Sequence, residues 1–147
     1  MEKEFIPYEQ ALALKELGFD EPCMYAWCIT REHRVEYDGK MSLKTDGNPF
    51  GQFYKGKSFN LNYNPNKNRI QCSAPLYQQA FRWFREKYNL FGCIDLQYSN
   101  PAHWYIRVDD IIKNDFVYHS EDYHIKYKTY EEAENACIDK LIELIYV

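Results

Sequence analysis

Residues 40–69 hold the side chains best suited to binding an anion. Lys40, Lys44, Lys55, Lys57, Lys67 and Arg69 stand against a single acid, Asp46. The other residues carry twelve Lys and Arg against twenty-one Asp and Glu, so charge is segregated along the chain. The same stretch contains Phe50, Phe53, Tyr54, Phe59 and Tyr63, together with Asn48, Asn60, Asn62, Asn64, Asn66 and Asn68. Lysines neutralise phosphate, amides read base edges or sugar hydroxyls, and aromatic rings stack on bases. Gly47, Gly51 and Gly56 let backbone N–H groups approach an anion closely. In this reading Lys44, Lys55, Lys57 and Arg69 hold phosphates while Phe53 or Tyr54 stacks. Two other readings stand beside it. Lys, Asn and Gly also build solvated hairpins whose lysines guard an exposed edge, and the stretch also suits a protein contact. Gly51-Gln-Phe-Tyr-Lys-Gly-Lys-Ser58 lacks the glycine spacing of a phosphate loop.

Catalytic patterns are sparse. His33, His103, His119 and His124 are the imidazoles. His119 and His124, five residues apart, point to opposite faces if that segment is extended. No H-E-x-x-H, G-x-S-x-G or Walker A string occurs, so no catalytic residue, metal ligand or cofactor is assigned. A small hydrolase or nucleotide-modifying enzyme using His119, His124 and a nearby acid is the enzymatic rival. Asp109-Asp110 fits a cation or, more ordinarily, the capping of a turn. Cys23, Cys28, Cys72, Cys93 and Cys137 are odd in number and form no C-x-x-C pair, which fits reduced thiols. Cys23, Cys28 and Cys137 lie in apolar stretches and belong in a core.

The elements that must position these groups follow from periodicity. Pro7-Tyr8-Glu9-Gln10-Ala11, Leu76-Tyr77-Gln78-Gln79-Ala80 and Thr129-Tyr130-Glu131-Glu132-Ala133 share one opening pattern, and each precedes a helix. In the second, Tyr77, Ala80, Phe81, Phe84 and Tyr88 share a face, with Ser73 as the expected N-cap. In the third, Thr129 and Glu132 form a capping box, and Ala133, Cys137, Leu141 and Leu144 share a face. Gly18 followed by Phe19 ends the first. Between helices the period falls to two. Cys23–Thr30 reads as a buried strand, Phe59, Leu61 and Tyr63 alternate, and Ile94–Tyr98 with Trp104–Val108 form a hairpin. Tyr123-Ile125-Tyr127 suggests a further strand. The expectation is one α+β domain over 1–147, with three amphipathic helices packed on a mainly antiparallel sheet. The basic aromatic segment, residues 31–69, lies between helix 1 and helix 2.

The strings Glu4–Cys23, Ala74–Leu90 and Lys128–Leu144 resemble short uncharacterised proteins encoded in gut Bacteroides-type genomes and their phages or mobile elements. That resemblance implies an accessory protein acting in the host bacterial cytoplasm, and brings no activity or site residues with it. Residues 31–69 depart from it. Met1–Pro7 has acids and no apolar h-region, and no apolar run approaches a membrane span. The formal net charge of -4 disfavours duplex DNA as a partner. The sequence therefore suggests a non-catalytic binding protein that sequesters a nucleotide-type anion in counter-defence. The rival is an inhibitor docking on a host protein through its acidic and aromatic surface, including Glu131, Glu132, Glu134 and Asp139. With 14 Tyr and 9 Phe, more aromatic surface than a small core hides, a homo-oligomer is expected.

Overall fold

All three repeated openings become helix starts. In the computed structural model, which describes residues 2–30, 41–44 and 68–146, α1 spans Tyr8–Glu16, α2 Tyr77–Tyr88 and α3 Tyr130–Tyr146. Each helix begins at the tyrosine of its opening pattern. The alanine three residues on, Ala11, Ala80 or Ala133, is buried in each case. A methyl group is the whole side chain there, so the first turn can lie close against its neighbour.

The chain divides into two compact units, Met1–Leu76 and Tyr77–Val147. In the first, β1 (Tyr25–Thr30) is central, with β2 (Met41–Lys44) and β3 (Asn68–Ala74) antiparallel on either side. A bulge interrupts the β1–β3 ladder between Trp27 and Cys28. Helix α1 packs on β3. It closes through a Schellman motif: Phe19 N–H donates to Leu14 O and Gly18 N–H to Lys15 O, with Gly18 at φ 92°. The Trp27 indole N–H donates to Ile6 O at 3.0 Å, satisfying a carbonyl ahead of α1. Ser73, expected to cap α2, is instead a β3 residue paired with Ala26. The ladder to β1 claims the chain as far as Ala74, and Pro75 then prevents its continuation.

The second unit is the hairpin β4 (Leu90–Gln97) and β5 (His103–Asp110), extended by β6 (Asp115–His119). Thus the class is α+β with antiparallel pairing, and the described strands fall into two three-stranded sheets. Helices α2 and α3 pack on β4 and α3 also on β5. Ile106 and Val108 on β5, Phe84 on α2, and Cys137, Ile138 and Leu141 on α3 are buried. One half of the expected capping box forms: Glu132 N–H donates to Thr129 Oγ1 at 3.1 Å. Its carboxylate accepts the Lys128 N–H, one residue before the cap. The strand expected over Tyr123–Tyr127 is corrected to a 3-10 turn, Ser120–Tyr123, followed by a single bridge between Tyr127 and Trp104. The alternating Phe59, Leu61 and Tyr63 lie outside the described residues.

At Gly92 the sheet and the helices approach each other closely. A Cβ there would sit 2.9 Å from Cys137 Sγ, 3.0 Å from Phe81 Cε1 and 3.1 Å from Leu141 Cδ1. Gly92→Ala should therefore destabilise by about 1–3 kcal/mol through overpacking. In a thermal unfolding scan, a midpoint equal to the parent's would contradict that packing.

All five cysteines are free, and Cys23, Cys28, Cys72 and Cys137 are buried. Burial pushes the thiols of Cys72 and Cys137 up to about 12 from an ordinary 9.0. The folded chain thus holds these protons more tightly than the unfolded one. Their stabilisation is complete below pH 9 and is lost as pH rises toward 12. Each thiol should cost up to about 1.4 kcal/mol per pH unit across that window. Urea unfolding of Cys137→Ala beside the parent tests this: the variant should show the shallower alkaline decline.

Candidate functional site

Alternation along β5 gives the second sheet two unlike faces. Ile106 and Val108 go to the helices, while His103, Tyr105, Arg107 and Asp109 go to the other face. The register brings Cys93 opposite Arg107, Asp95 opposite Tyr105, and His119 of β6 also opposite Arg107. Chemistry-bearing side chains from three strands therefore converge on one surface. Cys93, His103, His119 and the Asp109-Asp110 pair are each visible in the sequence, but their convergence depends on register.

Arg107 organises the cluster. Its Nη1 donates to Asp95 Oδ2 at 3.1 Å, and its Nε to both oxygens of Asp109 at 3.1 and 3.2 Å. Its Nη2 reaches Cys93 Sγ at 3.6 Å. The guanidinium is thereby fixed between two carboxylates and has little charge left for an incoming anion. Burial pushes the Cys93 thiol up, and Arg107 beside it offsets only part of that. A raised thiol is a poor nucleophile at neutral pH.

The histidines are committed as well. Ser99 Oγ donates to Pro101 O at 2.7 Å, so its proton is already used. His103 then donates from Nδ1 to Ser99 Oγ at 2.8 Å and accepts the Tyr105 hydroxyl at Nε2 at 3.1 Å. His119 accepts the Glu121 N–H at Nδ1 at 3.2 Å, leaving the proton on Nε2, 4.0 Å from Asp95 Oδ2. His103 thus uses both ring nitrogens in hydrogen bonds within the protein, whereas His119 uses Nδ1 and has Asp95 Oδ2 4.0 Å from Nε2. His124 does not join His119: it closes the 3-10 turn in the left-handed conformation at φ 59°. Among the described residues no group of three His, Cys, Asp or Glu side chains is placed to hold a metal ion. Asp110 caps a turn, accepting the Ile112 and Lys113 N–H groups at 3.0 and 2.9 Å. The Lys113 N–H bond is foremost in holding the Asp110 carboxyl below its usual range.

The anion-binding candidates fall elsewhere. Lys44 ends β2 opposite Ala26, and Arg69 lies on β3 opposite Ile29. These two registers lie on opposite flanks of β1 and three residues apart along it. Phe53, Tyr54, Lys55 and Lys57 lie outside the described residues. Phe116, 70% exposed on β6, and Ile112, 76% exposed in the turn before it, form a separate apolar feature.

Removing the clamp should expose its cost. Arg107→Met leaves Asp95 and Asp109 without their shared counter-ion. Because the cluster is partly solvated, the loss should be about 1–2 kcal/mol, between surface and buried ion-pair values. Adding Asp95→Asn and Asp109→Asn should recover most of it. Urea unfolding at low and high salt checks this, with a smaller loss at high salt.

Comparison with protein-family models, curated proteins and solved structures gives no match for this chain.

Proposed function

We propose that this protein is a non-catalytic binding protein that takes a nucleotide-type anion on its basic, aromatic segment. The observation that carries the reading is the charge segregation: six cations against one carboxylate over residues 40–69, in a chain that is otherwise strongly acidic. The strands flanking residues 45–67 support it. Lys44 is held at Ala26 and Asn68 at Thr30, so both ends of the segment are tied to β1. The alternative catalytic use of His119 and His124 is disfavoured, since the two cap opposite ends of the Ser120–Tyr123 turn. In the resembled setting, sequestration inside a bacterial host would serve a phage or mobile element as counter-defence.

A second reading rests on a different observation. Ile111, Ile112, Phe116 and Val117 are all exposed on the β5–β6 hairpin, an apolar grouping that suits a protein partner. In that case the protein acts as an inhibitor docking on a host protein.

Thermal unfolding against linear and cyclic nucleotides, at low and high salt, separates the two. A ligand at 100 times its dissociation constant adds about 2.7 kcal/mol of stability. The expected result is a salt-sensitive rise with one nucleotide class that disappears in the double variant Lys55→Glu, Lys57→Glu. A rise retained by that variant removes the assignment of Lys55 and Lys57. No rise with any nucleotide removes the anion reading and leaves the hairpin as the surface to mutate.

A further inference from the structure

The turn after β6 is capped by a group that can change its charge. His119 ends the strand, and its Nδ1 accepts the Glu121 N–H, the cap of the Ser120–Tyr123 turn. Only a neutral imidazole has a lone pair to do this. Facing the ring are Asp95 from β4, Arg107 and Tyr105 from β5, and Glu121 from the turn itself. Asp95 Oδ2 lies 4.0 Å from Nε2, and Glu121 Oε2 lies 4.0 Å from Nδ1. The Tyr105 ring centre is 6.0 Å from that of His119. Asp95 Oδ2 also takes the Arg107 Nη1 hydrogen bond, so that oxygen is shared between the two cations once the imidazole is charged.

Adding a proton at Nδ1 turns an acceptor into a donor. The Glu121 N–H then meets another N–H, while the Glu121 carboxylate and Asp95 gain a cation. The ring exchanges a backbone partner for side-chain partners, and the turn loses its first hydrogen bond. What that turn holds is central to the fold. Ser120 is fully buried, and its Oγ accepts the Ile106 N–H at 3.0 Å. Its carbonyl accepts the Ile125 N–H, and Glu121 O accepts the His124 N–H. We propose that His119 is a pH-operated latch on the Ser120–Tyr123 turn: neutral, it caps the turn; protonated, it releases the Glu121 amide and loosens the link from β6 to α3. Histidine is the side chain suited to this, because its charge ordinarily changes between pH 5 and 8.

The test is a pH titration, from 8 to 5, of the full-length protein labelled with nitrogen-15. The Glu121 amide proton should move upfield as its hydrogen bond is lost, with the same midpoint as the His119 ring signals. Protection of the Ile125 amide against exchange should fall over that range. His119→Asn keeps an oxygen acceptor that does not titrate, and should hold both amides constant. His124→Asn, which tolerates the left-handed conformation, should leave the transition in place. A Glu121 amide that does not follow the His119 ring in the unaltered protein overturns the latch. So does a transition that survives in His119→Asn.

Discussion

The outer edge of β5 is the constraint on which the second unit depends. This strand carries the buried Ile106 and Val108, so its backbone groups cannot be left to water. β4 serves one side of it along the full length, from Leu90–Asp110 to Gln97–His103. The other side is served in pieces. β6 pairs with Arg107–Asp110, the Ser120 hydroxyl takes the Ile106 N–H, and Tyr127 exchanges both hydrogen bonds with Trp104. One side chain thus stands in for a strand where the chain leaves the sheet. That substitution explains why Ser120, a polar residue, is fully buried, and why the turn around it follows β6 so closely.

This arrangement separates what could be read along the chain from what could not. Helix starts were legible because their determinants are local: Tyr8, Tyr77 and Tyr130 open the helices, Thr129 and Glu132 cap the third, and Gly18 ends the first. The β4–β5 hairpin was legible for the same reason, through the alternation of Ile94–Tyr98 and Trp104–Val108. β6 was not. Asp115-Phe-Val-Tyr-His119 is short and interrupted by a bulge, and its pairing rests on β5 rather than on its own pattern. Ser73 shows the same effect in reverse: a good local cap was overruled by a long-range ladder. The division into two sheets likewise depends on partners distant in sequence. The polar face around Arg107 was invisible for this reason, since Asp95, Arg107 and His119 meet only once both registers are set.

Chemistry on that face is directed inward. Arg107 is divided between Asp95 and Asp109, Tyr105 and Ser99 hold His103, and Glu121 and Asp95 flank His119. Such a network organises a surface. A sheet with one face buried under helices needs register on the other face too, and interlocking polar side chains supply it. The cluster is therefore a device for holding three strands in place.

The basic segment differs in kind. Residues 40–69 carry six cations and one acid, Asp46, whereas Asp95 and Asp109 both answer Arg107. Cations of one sign in close succession repel one another, and this repulsion diminishes when an anion arrives. The same logic favours a ligand with several negative charges and a flat ring over a single simple ion. The contrast lies in composition: the proposed binding segment is rich in cations, while on the β5 face Arg107 is matched by Asp95 and Asp109.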